Sequence, residues 1–176
     1  MRESATRPMR LVILTGASGS GKSTIAAALG ASRNRRIHVI HFDSLGVPSP
    51  AAMIAGWGSG EAWQQAMTAR WMMDIQARIP RRQSLLFEGQ IRPSYLPAAV
   101  AELGCDSHVV LVDCSDEVRR QRLTFDRRQP ELASERMMRW AAVMRAEAEA
   151  LGFARLDTTF LQVADAAQVV AKLFDE

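Results

Sequence analysis

The sequence predicts an α/β fold: a three-layer sandwich built on a five-stranded parallel sheet. Three observations predict it. Five short apolar runs, at 10–15, 37–42, 84–89, 107–113 and 152–158, read as strands. Several are apolar throughout, the pattern of strands covered on both faces. Helical stretches at 22–31, 60–79, 115–126, 131–151 and 163–174 separate them, and such alternation places helices on both sides of one sheet. The 176 residues, 48% hydrophobic and 23% charged, suit one domain spanning 1–176 with its own core.

"RLVILT" (10–15) is continuously apolar and ends at a glycine. Residues 22–31 are rich in Ala and Leu, and follow as a helix. "IHVIHF" (37–42) alternates and is β-branched, a strand pattern. "LGVPSPAAMIAGWGSG" (45–60) is rich in Gly, Pro and Ser and reads as a mobile loop. In 60–79, Trp63, Met67, Trp71 and Ile75 recur every four residues, which makes one apolar stripe on a helix. "SLLFEG" (84–89) is short and bounded, and "SHVVLVD" (107–113) has the most marked strand pattern. The helix over 115–126 ends at "RRQP" (127–130), because proline disfavours helix just before it. Helix restarts at Glu131. "GFARLDT" (152–158) and the helix over 163–174 close the chain.

Charge and cysteine content narrow the function classes. Net charge is +3, and only Lys22 and Lys172 among the 22 basic residues are lysine. Arginine-favouring codon usage accounts for this balance. So does phosphate handling, since a guanidinium forks onto two oxygens. Cys105 and Cys114 are too few for a disulfide scaffold or a metal site, and Cys114 is expected to pack behind a strand. No apolar run approaches the ~18 residues of a membrane span, and "MRESATRPMR" holds no apolar signal segment. The expectation is a soluble protein of a reducing compartment, most simply the cytoplasm.

The chemistry starts at Gly16-Ala17-Ser18-Gly19-Ser20-Gly21-Lys22-Ser23, followed by Thr24. This run fits G-x-x-x-x-G-K-[ST] between a strand and a helix, a strong signal for nucleoside triphosphate binding. Glycines permit backbone conformations that a Cβ forbids. Consecutive N–H groups then face the phosphates, and the helix adds its positive N-terminal end. Lys22 would reach the terminal phosphates, and the Ser23 hydroxyl would bind Mg²⁺. Two acids end later strands. Asp43 closes "HVIHFD", and Glu88 closes "SLLFE" as a Walker B-like acid. Asp113, after "SHVVLV", is a competitor for that role, but Asp113 or Ser115 is read instead as the cap of the next helix.

With these residues the chain resembles P-loop small-molecule kinases of the nucleoside, shikimate and gluconate kinase type. The layout matches throughout, although only the glycine-rich loop is highly specific. The resemblance implies ATP and Mg²⁺ as donor and cofactor. It implies an acceptor-binding cap at about 44–80 and a short helical lid at about 119–135. An acid at the place of Asp43 commonly faces the acceptor: as a base for the attacking hydroxyl, or as an orienter of Mg²⁺ through water. A solvated turn or a helix cap is the plain alternative for it. Ser44 and His41 are weaker neighbours. Glu88 would contact substrate or a metal-bound water, and Gln90 and Arg92 would grip a polar or anionic acceptor. "RLTFDR" (122–127) resembles the lid form R-L-x-x-R with one extra residue. Arg127 and Arg122, with Arg128 next, would therefore neutralise charge on the transferring phosphoryl group. Arg119 and Arg120 are assigned to a basic helical face. Asp157 and Thr158 would line the adenine pocket. The tryptophan stripe is read as core, with some side chains able to wall the acceptor pocket.

The expected activity is therefore transfer of the ATP γ-phosphoryl group to a hydroxyl of a small-molecule acceptor, by a monomer or homodimer. The alternatives are a polynucleotide 5′-hydroxyl kinase or other nucleic-acid-acting ATPase, and an antibiotic-modifying phosphotransferase. A net charge of +3 without a lysine-rich tract gives little support for a nucleic-acid groove. No N-K-x-D-type guanine reader is present, so a regulatory GTPase is disfavoured.

Overall fold

The computed structural model of the chain describes residues 10–32, 37–78 and 84–175. The amino-terminal segment read above for a signal, the last predicted residue of the tryptophan helix and the end of the 44–80 cap lie outside them. Five parallel strands form one sheet: β1 (Arg10–Thr15), β2 (Ile37–His41), β3 (Ser84–Gly89), β4 (Asp106–Asp113) and β5 (Ala154–Asp157). Their order is β2-β3-β1-β4-β5, so β1 is central, with Leu14 opposite Glu88 of β3 and opposite Val110 of β4. Seven α-helices occur among the described residues: α1 (Lys22–Gly30), α2 (Pro50–Trp57), α3 (Gly60–Arg78), α4 (Leu96–Ala101), α5 (Asp116–Gln121), α6 (Glu135–Ala150) and α7 (Val163–Lys172).

The strands are apolar throughout because both faces are covered. On β1, Leu11 and Ile13 pack into a cluster with Trp63, Trp71 and Ile75 of α3. Val12 and Leu14 face the other way, into a cluster with Ile25 of α1 and Val170 of α7. Trp63, Trp71 and Ile75 are buried and Met67 packs partly against them, as the four-residue stripe predicts. Cys114 is buried, and both cysteines are free thiols.

Three local expectations need correction. The segment 45–60 is not one loop. Ser49 caps α2, its side chain accepting from the Ala52 N–H, and Pro50 sits at the first helical position. A Ser-Pro pair starts helices as well as turns, and glycine and proline content alone does not separate the two. The helix over 115–126 is instead α5 followed by a π-helical turn at Arg122–Asp126. The helix predicted from Glu131 begins at Glu135. Pro130–Leu132 forms a 3₁₀ turn, and Ser134 is the cap, accepting from the Met137 N–H. Helix α4 has six residues and too short a pattern to read in advance.

Candidate active site

The site assembles at the C-terminal ends of β1, β2 and β3. In a parallel sheet these ends open on the crevice where ligands bind. Gly16 leaves β1 at φ +148°, and a Cβ there would lie 2.1 Å from the Val112 carbonyl oxygen. Only glycine lets the loop turn this close to β4. Lys22, at the start of α1, is buried and directs its ammonium at the Ala17 carbonyl (3.2 Å) and the Ser20 hydroxyl (3.4 Å). Burial lowers its pKa to about 8, helped by Arg119 and Arg127 and opposed by Glu88 and Asp43.

Ser23 donates its hydroxyl to Glu88 Oε2 at 3.2 Å. On the other carboxylate oxygen, His41 Nδ1 lies 2.6 Å from Glu88 Oε1, held there because His41 pairs with Glu88 across β2 and β3. Asp43 lies in a 3₁₀ turn, Phe42–Leu45, that follows β2. The turn is anchored by Trp71, whose indole N–H donates to the Phe42 carbonyl at 3.0 Å. A Cβ on Gly89 would sit 2.3 Å from Phe42 Cβ, so glycine allows this turn to close on the end of β3. The Asp43 carboxyl is held above the ordinary aspartate range by desolvation and by the neighbouring Glu88 carboxylate, against Lys22 and Arg127. Lys22, Asp43, Glu88 and Arg127 thus share one electrostatic field.

Ser23, Glu88 and Asp43 supply only oxygen donors, the set that a hard divalent cation takes. Among the described residues, no group of three or more His, Cys, Asp or Glu could hold a metal by itself. Mg²⁺ is usually held by one or two protein ligands together with nucleotide phosphates and water, a role that Ser23 and Glu88 would fit.

Beside the glycine-rich loop lies a cleft of about 420 Å³, lined by Lys22, Ser23, Arg122, Arg127, Thr158 and Leu161 among others. Arg122 ties its floor together. It donates to Thr158 Oγ1 at 2.9 Å and to the Thr158 carbonyl at 2.7 Å, and Thr158 Oγ1 donates to the Ser20 carbonyl at 2.8 Å. Asp157 does not line the cleft. It accepts from the Thr159 N–H and hydroxyl and shapes the loop. Arg127 enters the cleft lining, and Arg128, at φ +53°, does not.

The loop after β3 is fastened from both sides. Gln90 Oε1 accepts from the Ser18 N–H (2.9 Å) and hydroxyl (3.1 Å). Gln64 donates to the Gln90 carbonyl and accepts from the Arg92 N–H. Thr15 donates its hydroxyl to the Ile91 carbonyl. The Arg92 guanidinium is already engaged, with Glu147 at 2.7 Å and Glu61 at 2.8 Å. Gln90 also lines a second cavity of about 860 Å³, enclosed by the start of α3, Glu131 and Leu132, and the first half of α6. Sequence reading missed Arg136, Arg139 and Trp140 of that wall, which carry no motif.

Asp113 caps nothing with its side chain, because Ser115 holds the Val118 N–H. Asp113 is a buried hub instead. It accepts from Arg119 at 2.7 Å and Arg145 at 2.6 Å, with Arg155 at 3.4 Å. The assignment of Arg119 to a surface face is also overturned. It is fully buried and donates to the Ser18 carbonyl at 2.8 Å, bracing the glycine-rich loop. Arg120 does face outward, on Glu135 and the Ala133 carbonyl. A helix periodicity of 3.6 places Arg119 and Arg120 on different faces, a signal that the count of arginines hides.

No protein-family model and no curated protein matches the chain. Solved structures do. Shikimate kinase from Acinetobacter baumannii, in complex with shikimate, superposes with a TM-score of 0.65 at 17% identity, over 96% of this chain and 94% of that one. The APS kinase of Mycobacterium tuberculosis, with AMPPNP and APS, gives 0.64 at 18% identity, over 96% and 99%. The tunicamycin resistance protein of Deinococcus radiodurans gives 0.68 at 18%, over 93% and 94%. The chain has a P-loop kinase-like fold. This agrees with the all-parallel sheet and with a glycine-rich loop between its central strand and α1.

Proposed function

We propose that the chain is an ATP-dependent phosphotransferase that moves the γ-phosphoryl group of ATP to a hydroxyl of a small-molecule acceptor. One observation carries this reading. The glycine-rich loop, Asp43, Glu88 and Arg127 share one electrostatic neighbourhood around Lys22, beside a cleft large enough for a nucleotide. The triphosphate lies along the loop N–H groups, with Lys22 on its terminal phosphates and Thr158 and Leu161 toward the base. Ser23, with Glu88 or Asp43 nearby, would hold Mg²⁺, which when bound would supply neutralisation of the charge on the phosphates. Asp43 takes the proton of the acceptor hydroxyl, whose oxygen bonds to the γ-phosphorus as the bond to the departing ADP oxygen breaks. Its raised pKa makes it a better proton acceptor than an ordinary aspartate. Arg127, whose guanidinium has no hydrogen bond or ion pair among the described residues, closes on the phosphoryl oxygens, while Arg122 and Arg119 hold the loop in place. The acceptor enters the 860 Å³ cavity beside Gln90, which suits a small molecule.

The test is incubation with γ-labelled ATP and Mg²⁺ against metabolites, nucleosides, antibiotics and a 5′-hydroxyl oligonucleotide. The reading expects label on one small-molecule class well above release to water. Label on the oligonucleotide alone, or release to water only, contradicts it.

A further inference from the structure

We infer that His41 is a positioning residue: its ring fixes the Glu88 carboxylate so that one carboxylate oxygen stays on Ser23, where Mg²⁺ would be held. This rests on the phosphotransferase reading and on three observations. The first is the carboxylate itself. Glu88 is only 5% exposed, and a different side chain meets each of its oxygens. His41 Nδ1 lies 2.6 Å from Oε1, and the Ser23 hydroxyl donates to Oε2 at 3.2 Å. An ionised carboxylate only accepts, so His41 presents Nδ1–H to it. A neutral ring makes that bond, and no charge on His41 is required.

The second observation is register. His41 is the last residue of β2 and pairs with Glu88 of β3. The contact is therefore built into the sheet and not left to a loop. His38, on the opposite face of the same strand, is engaged elsewhere, with Arg78 at 2.9 Å. The third observation is the His41 backbone. Its carbonyl accepts from the Ser44 hydroxyl at 2.7 Å, and the 3₁₀ turn that carries Asp43 begins at the next residue. His41 is thus tied to Glu88 by its ring and to the Asp43 turn by its carbonyl. Without the ring, Oε1 is a buried acceptor that has lost its donor, which is costly. The Lys22 ammonium, already in the field of Glu88, then competes for the carboxylate and draws it from Ser23. Mg²⁺ demands near-ideal octahedral geometry, so a turned carboxylate binds it less well. Loss of a hydrogen-bonding partner behind a metal ligand costs about 10–100-fold in metal affinity.

The test is binding of Mn²⁺, a spin-active stand-in for Mg²⁺, to the full chain with a non-hydrolysable ATP analogue. His41→Phe keeps a ring and removes the donor. His41→Asn keeps an N–H donor close to the place of Nδ1. His38→Asn is the control on the other face. The expected result is a Mn²⁺ dissociation constant at least ~10-fold higher in His41→Phe, and within a few-fold of the parent in the two Asn variants. Affinity for the nucleotide without metal should stay within a few-fold throughout. His41→Ala answers the same question should the Phe variant unfold in denaturant melts. Unchanged Mn²⁺ affinity without the donor overturns the inference, while label transfer to a small molecule still supports the phosphotransferase reading. Equal losses in His41→Phe and His41→Asn, or a loss matched by metal-free nucleotide binding, overturn it too, because the ring then serves packing. Absence of a Mn²⁺–nucleotide complex in the parent also overturns it, and label transfer alone then judges the phosphotransferase reading.

Discussion

Three buried or half-buried charges account for most of what this site can do, and each predicts an outcome. Lys22 must be protonated to meet a triphosphate, and burial has brought its pKa down to about 8. In the free protein its charge is therefore half lost at about pH 8, nearly complete well below it and nearly gone well above it. An alkaline limb near pH 8 is expected in kcat/KM for ATP, and a higher one in kcat, since bound phosphates favour the ammonium. The acid limb belongs to Asp43, whose raised pKa sets it above the usual aspartate value. A pH–rate series in both parameters checks this, and coincident alkaline limbs contradict the assignment. Arg119 differs in kind, because it never reaches the ligand. With Asp113 it forms a buried pair, 0% and 3% exposed. Arg119→Met leaves Asp113 with the more exposed Arg145 and Arg155 only, and should cost about 3–5 kcal/mol of stability, as breaking a buried pair does. Denaturant melts at matched pH measure it. A variant as stable as the parent would remove Arg119 from the bracing role.

At the scale of elements, the lid divides its arginines by geometry. A π-helical turn at Arg122–Asp126 accommodates the extra residue in the lid pattern. It leaves Arg122 on Thr158 and brings Arg127, not Arg128, into the cleft. Arg127→Ala should therefore lower kcat by about 10³-fold or more, the scale of an arginine finger, while Arg128→Ala stays within a few-fold of the parent. Steady-state kinetics of the two variants decides it, and equal losses contradict the division. The same segment shows what a sequence can and cannot disclose. Strands β1, β3 and β4 are readable because burial on both faces demands unbroken apolar runs. The α3 stripe is readable because its period matches a helix. The π-turn, α2 and the Asp113 hub are not, because each depends on a partner distant in sequence or on a cap that looks like a turn. Gln90 illustrates the point: as a loop polar residue it looks free for an acceptor, but its amide oxygen is taken by Ser18.

The whole molecule brings the glycine-rich loop, Asp43 and Glu88 to the C-terminal ends of adjacent strands of a five-stranded sheet. The strand order β2-β3-β1-β4-β5 sets side by side the turn after β2 that carries Asp43, the end of β3 that carries Glu88 and the glycine-rich loop after β1. The fold was legible from one loop and five apolar runs, and the proposed donor half rests on the same loop. The cavity proposed for the acceptor was not, because its walls come from α3, residues 131–132 and α6, joined only by folding. The central claim is that the two halves meet at Asp43, and Asp43→Asn tests it most directly. The measurement is kcat for transfer beside the nucleotide dissociation constant. The account predicts nucleotide affinity within a few-fold of the parent, with kcat down by about 10²–10⁴-fold, the range of a lost general base. Full transfer by Asp43→Asn, or loss of nucleotide binding in step with kcat, would contradict it.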